Sequence, residues 1–150
     1  MAFDAFLKID GIKGESTDKD HPEEIEIDSF SWGETNTGSA GGGGGGSGKA
    51  VPGDFHFTAP VSKVSPLLML VCATGRHFSR ATLTCRKAGF EFEKVRLDDV
   101  LVSSYQMDGD AHEDDRPEDS FSLNFTKIDF LYTVQRTGET VEAAVEFNRT

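Results

Sequence analysis

The stretch Gly43-x-x-x-x-Gly48-Lys49 has the spacing of a phosphate-cradling loop, G-x-x-x-x-G-K. Such a loop aims backbone N–H groups and a helix N-terminus at the phosphates, and a following Ser or Thr reaches the magnesium. Here Ala50 stands where the hydroxyl belongs, and Val51-Pro52-Gly53 cannot open a helix. Any polyglycine run that ends in Gly-Lys reproduces the spacing, so the match argues for no nucleotide.

A second group that could do chemistry is Asp108-Gly-Asp110-Ala-His112-Glu113-Asp114-Asp115, dense enough in carboxylates to hold a hard cation. The calcium-loop pattern, with its glycine at position six and glutamate at position twelve, is missing. The preferred reading is a hairpin loop solvated by its own charges. The histidines His21, His56, His77 and His112 share no metal spacing. No G-x-S-x-G elbow is present, and neither Cys72 nor Cys85 has a histidine beside it in sequence. No catalytic residue, metal site or cofactor is expected. The two cysteines lie in apolar or strand-like runs and read as small buried hydrophobes.

The elements that carry these residues are mostly strands. Phe3–Ile9 is apolar and ends at Asp10-Gly11; Glu24–Asp28 alternates with period two. The alternation restarts out of phase at Phe30 and Trp32, which predicts a β-bulge at Asp28–Ser29. Phe55-His56-Phe57 opens another strand. Ala81–Arg86, a strand or bent pair within Phe90–Met107, Phe121–Phe125, Ile128–Val134 and Thr140–Phe147 follow. A phase slip at Thr126–Lys127 predicts a second bulge. Ser65-Pro66 reads as N-cap plus proline at the first helical position, Leu67–Thr74 as a short helix, and Gly75 as its C-terminal stop. That helix is apolar all round and needs cover on more than one side, which a small β-domain leaves to another subunit. The sum is one domain, residues 1–150, of a mainly β class: a small closed or nearly closed β-barrel, or a sandwich, with one short helix. The many phenylalanines, 12 in all, are read as core from their period-two placement.

Between the strands lies Gly38-Ser39-Ala40, six glycines from Gly41 to Gly46, then Ser47-Gly48-Lys49. Glycine loses the most entropy on ordering and buries nothing, so this tract is a long protruding loop. The formal net charge of −11 argues against nucleic acid and against an anionic membrane surface. The longest apolar run, Leu67–Ala73, is far short of the roughly 20 residues that span a bilayer, so no membrane insertion is expected. The N-terminus, Met1-Ala-Phe-Asp-Ala-Phe-Leu-Lys, has no basic region followed by a long apolar one. Cytosolic synthesis without a cleavable signal peptide is therefore expected.

In order along the chain stand Asp4-Ala-Phe-Leu-Lys-Ile, Gly14-Glu15-Ser16, Glu24-Ile25, Ser31-Trp32-Gly33, the glycine tract ending Gly48-Lys49, and Phe57-Thr58. Leu67-Leu68-Met69, Cys72, Gly75-Arg76-His77-Phe78, Leu83-Thr84, Arg86-Lys87-Ala88-Gly89 and Val100–Ser104 come next. Glu113–Arg116, Glu118, Leu123-Asn124-Phe125, Ile128, Phe130 and Tyr132 close the series. Over nearly its whole length the chain resembles the Hcp family, the haemolysin-coregulated proteins of the type VI secretion inner tube.

That resemblance implies a two-sheet β-barrel with one short α-helix on its flank, and a structural subunit, not an enzyme. It implies homohexameric rings stacked into a hollow tube, pushed out by a contracting sheath, tipped by a VgrG-type spike and carrying small effectors. Export would then follow cytoplasmic synthesis, through the type VI apparatus. The family's loop after the Ser-Trp-Gly strand takes part in ring stacking. Here it corresponds to Gly38, Gly41, Gly42, Gly43, Gly44, Gly45, Gly46, Gly48 and Lys49. Leu67, Leu68, Met69 and Leu70 are the expected subunit-contact helix. With the chain ending at Thr150, no fused toxin domain is expected. The segment Tyr105–Asp115 is more acidic than the family leads one to expect. The alternative is a monomeric β-barrel carrier for a small ligand, which would call for a signal peptide and a cleft lined by aromatics.

Overall fold

A computed structural model describes residues 2–38 and 48–147. The strands in chain order are β1 Asp4–Ile9, β2 Ile25–Ile27, β3 Ser29–Ser31, β4 Glu34–Asn36, β5 Ala50–Pro52 and β6 Phe55–Pro60. After the helix α1, Ser65–Thr74, come β7 His77–Lys87, β8 Phe90–Asp108, β9 Glu118–Asn124, β10 Lys127–Thr133 and β11 Thr140–Glu146. The fold is mainly β, with two sheets and one short helix among the described residues.

The large sheet runs β2-β1-β7-β8-β9-β6-β3, all antiparallel. Its two ends, β2 and β3, are separated by Asp28 alone. Ile25–Ile27 pairs with β1, and Ser29–Ser31 pairs with β6. At the junction the Asp28 N–H donates to the Thr58 carbonyl at 2.8 Å. One chain segment thus holds both margins and closes the sheet on itself. The bulge expected at Asp28–Ser29 is this switch of partner: the side-chain phase slips where the strand leaves β1 for β6.

β8 is the longest strand, 19 residues, and the sheet forks along it. One edge pairs with β7. The other takes β10 against Glu93–Asp98 and β9 against Leu101–Asp108. The slip expected at Thr126–Lys127 is the step from β9 to β10, where the Thr126 N–H donates to the Asp98 carbonyl at 3.0 Å. Asp99 bends β8 with φ 53°, and register shifts fall at Cys85/Arg86 and Val102/Ser104, which the alternation does not signal.

Inside the barrel, Phe55, Phe57 and Phe121 stack in series at 4.9 and 5.4 Å between centroids. Leu7, Leu83, Val95, Leu97, Val100, Val102 and Leu123 fill the space around them, all fully buried. Each such side chain contributes about 1.5–3 kcal/mol against the unfolded chain. Gly14 lets the β1–β2 connection fold back: a Cβ there would lie 2.4 Å from the Glu24 carbonyl oxygen.

The helix corrects one expectation. Its N-cap is Val64, and Ser65 lies inside the first turn. The Ser65 hydroxyl is held elsewhere: its oxygen accepts the Ser62 N–H at 2.9 Å, and its proton goes to the buried Asp119 carboxylate. Gly75 ends the helix as expected, left-handed at φ 68°, with its N–H on the Val71 carbonyl. The phenylalanine reading needs a smaller correction: Phe3 and Phe130 are exposed, the latter because the strand carrying it extends past the closed part of the sheet.

Candidate functional site

Asp110, the first residue of the acidic loop turn, uses its carboxylate to accept the His112 N–H at 2.9 Å. The Asp114 carboxylate accepts the Asp110 N–H at 3.0 Å. The carboxylates therefore cap their own turn, and among the described residues no group of His, Cys, Asp and Glu is placed to hold a metal. A cavity of about 450 Å³ lies at this loop, lined by residues such as Asp110, Asp114, Arg116 and Pro117. It is a surface hollow, not the interior of the barrel, which the stacked phenylalanines fill. Ala50-Val51-Pro52 is strand β5, so a strand and not a helix follows Lys49.

What the fold does present is a set of exposed surfaces. The first is an arm. β4 and β5 pair as a separate two-stranded sheet, Glu34↔Pro52 to Asn36↔Ala50. Every residue of β4 is exposed. At the arm's root the Trp32 indole N–H donates to the Gly53 carbonyl, and the Gly53 N–H to the Gly33 carbonyl, both at 2.9 Å. Asp54 then ties the exit to the barrel by accepting from the Ser103 hydroxyl at 2.7 Å and the Asn124 amide at 3.0 Å. Towards the tip, the Thr37 N–H reaches the Lys49 carbonyl at 3.0 Å, and the Lys49 N–H reaches the Thr37 hydroxyl at 2.9 Å. Gly38, Gly48 and Lys49 therefore form the neck of the glycine tract. Gly41, Gly42, Gly43, Gly44, Gly45 and Gly46 lie outside the described residues.

The second surface is the helix. Leu68 is 1% exposed and belongs to the chain's own core, and Leu67 is half-buried against that core. Met69 and Leu70, at 57% and 54%, face outward. Of the four helix residues singled out from sequence, these two are open to a second molecule.

The third surface was missed. β10 and β11 form a hairpin that, among the described residues, pairs with the large sheet through β8. Residues directly paired across antiparallel strands share a face. The row Leu83–Val95–Phe130–Ala143 and the row Cys85–Glu93–Tyr132–Val141 therefore continue the core face of β7 and β8 onto the hairpin. Leu83 and Val95 are buried, whereas Phe130, Tyr132, Val141 and Val145 are exposed. The period-two alternation was legible in sequence, but alternation reports which side is apolar, not whether anything covers it.

Two polar clusters hold the shell together. Buried His21 sits on the Phe6 ring at 4.5 Å, with Nδ1 3.0 Å from Glu24 and Nε2 2.8 Å from Glu91. Burial favours the neutral ring, but hydrogen bonds to Glu91 and Glu24 outweigh it and raise the His21 pKa. Beside it, Arg86 makes a two-pronged pair with Asp18 at 2.8 and 2.9 Å, which holds the Asp18 carboxyl down at about 2 against some opposing burial. Cys85 is fully buried and Cys72 half-buried. Burial and the nearby Glu93 carboxylate push the Cys85 thiol up to about 12.

A family model described as "Type VI secretion system effector, Hcp" matches residues 6–132. The chain belongs to the Hcp family. Among relatives, protein hcp1 of Pseudomonas aeruginosa is 44% identical over 141 residues, 91% of this chain and 86% of that protein. Hcp1 from Salmonella typhimurium superposes with a TM-score of 0.86 at 34% identity, covering 98% of this chain and 96% of that one. A type VI secretion system effector from Yersinia pestis gives 0.82 at 30% identity, covering 95% and 99%. This Hcp is thus a tube and effector-class protein of a type VI secretion system, a secreted family. No helix among its described residues is long and apolar enough to cross a membrane.

Proposed function

We propose that this Hcp is a non-catalytic structural subunit of the inner tube: six copies close into a ring, and rings stack into a hollow conduit. The observation that carries this is the combination of family membership with apolar surface left open on the single chain, at Met69 and Leu70 and on the β10–β11 hairpin. A contact between unlike patches on identical subunits propagates head to tail and closes when the rotation allows. The arm β4–β5 and its glycine tract, Gly38–Lys49, are the ring-stacking device. A two-stranded ribbon, with β4 exposed throughout, is marginal by itself and gains stability where another ring supplies hydrogen-bond partners.

The same reading assigns the sheath, a VgrG-type spike and small effectors as partners, and export through the type VI apparatus. Negative-stain images and light scattering test it together. Open-centred rings with a mass near six subunits are expected; monomer alone across several buffers would overturn it.

A further inference from the structure

We propose that Asp54 is the residue that aims the β4–β5 arm, through a directed chain of hydroxyls assembled by a β-bulge in β8. This rests on the stacking role given to the arm above and adds what fixes its direction.

The arm leaves the barrel through two short hinges, Trp32-Gly33 ahead of β4 and Gly53-Asp54 behind β5. Each joins a glycine to an anchoring side chain. Trp32 reaches across to the other leg, where its indole N–H meets the Gly53 carbonyl, and the Gly53 N–H returns to the Gly33 carbonyl. Those bonds hold the two legs to each other. Asp54 turns the other way, to β8 and β9. One carboxylate oxygen accepts the Ser103 hydroxyl at 2.7 Å, and the other accepts the Asn124 amide at 3.0 Å. Hydrogen bonds to a charged acceptor are the stronger kind.

Ser103 reaches Asp54 because the strand is irregular there. Val102 stands opposite Leu123 and Ser104 opposite Ser122, so Ser103 is the extra residue of a bulge. In an even strand, Ser103 and Ser104 would point to opposite faces. Here both hydroxyls meet that of buried Ser122, at 2.8 and 2.5 Å. Counting protons gives the chain a direction, since each hydroxyl has one to donate. Ser103 donates to Asp54, so Ser122 donates to Ser103, and Ser104 to Ser122. The Asp54 carboxylate is the accepting end of the series and polarises every bond in it. An arm aimed in this way loses less freedom when it meets another ring.

The test reads the arm of the full chain directly. Trp32 is the one tryptophan, so acrylamide quenching of its emission reports the arm's root. Mass-resolved tryptic cleavage after Lys49 reports the neck. Asp54→Ala is expected to keep the circular dichroism and ring mass of the wild type. It is expected to raise Trp32 quenching and to speed cleavage after Lys49 by about tenfold, because both charged bonds go. Its tubes are expected to be fewer and shorter in negative stain. Ser103→Ala removes one donor and is expected to speed cleavage by about threefold. Ser103→Thr keeps the hydroxyl and is expected to restore the wild-type rate. In the Asp54→Ala background, Ser103→Ala is expected to add nothing. Asp54→Asn keeps the shape but turns an amide towards one donor; it serves should Asp54→Ala fail the circular dichroism check, with faster cleavage again expected. Unchanged quenching and cleavage would overturn Asp54 as the aiming residue and leave the stacking role standing. Additive effects of Asp54→Ala and Ser103→Ala would overturn the hydroxyl chain. A loosened arm with tubes of wild-type length would support the hold of Asp54 on the arm and overturn the stacking role.

Discussion

The Trp32 indole N–H and the Gly53 carbonyl meet at 2.9 Å across the root of the β4–β5 arm, with the Trp32 ring parallel to Phe55 in the barrel. One side chain thus joins an exposed ribbon to a buried aromatic stack. Trp32→Phe keeps an aromatic ring and removes the bond, which is worth about 0.5–1.5 kcal/mol. The arm then opens more often, and tryptic cleavage after Lys49 is expected to speed up by about two- to tenfold. An unchanged cleavage rate would show that other contacts hold the arm.

Removing Gly41–Gly46 is expected to leave single rings intact and to weaken their stacking, read as fewer and shorter tubes in negative stain. Loss of the rings themselves would place the tract in the wrong contact.

Leu68 and Met69 are adjacent in sequence and differ in what they touch. Leu68→Ala opens a cavity in the chain's own core and is expected to cost about 2–5 kcal/mol in denaturant unfolding. Met69→Ala is expected to change unfolding of the dissociated chain by less than about 0.5 kcal/mol. Equal losses would mean that the helix face is covered within the subunit.

His21 gives the stability a pH signature. Its folded pKa is raised, so its contribution is fully present below the unfolded value of 6.5 and is lost as pH rises through the folded value. The charged and aromatic groups facing it are Glu24, Glu91, Asp18 and Phe6. The stability gap between wild type and His21→Gln is expected to be larger at pH 5.5 than at pH 8.5 by urea denaturation. Asp18 acts with opposite sign: its contribution is present above the unfolded value of 3.8 and is lost as pH falls through about 2. A gap for His21 that is flat in pH would mean the ring stays neutral.

The Cys85 thiol, pushed up to about 12 and buried, is expected to be silent to a thiol-reactive chromophore in the native protein. Both cysteines react once urea unfolds the chain. A native count of two thiols would contradict the burial.

Much of the architecture is legible because it is local. The strands, the stop at Gly75 and the switch at Asp28 each leave a mark in periodicity or backbone preference. The mark at Asp28 is a phase slip, however, and a phase slip does not say which strands are exchanged. Ser65 looks like a cap because caps are serines, yet its partner Asp119 lies 54 residues away and wins the hydroxyl. His21 and Glu91, 70 residues apart, leave no pattern at all. The arm strands β4 and β5 are three residues each, too short to show an apolar phase, and β4 is polar throughout. Phe130 and Tyr132 alternate as core strands do, and sequence carries no sign that their cover is absent.

Closing the sheet through residues 25–31 has a consequence for how the chain reaches this state. An open sheet can grow by adding strands at a free margin, each addition rewarded as it occurs. Here the last piece must find β1 and β6 already in position, so its full reward is deferred until distant parts of the chain agree. The Asp28 N–H, shared with Thr58, is the latch of that final step. At residues 25–31 the sheet accordingly offers no loose margin from which a strand can peel away singly.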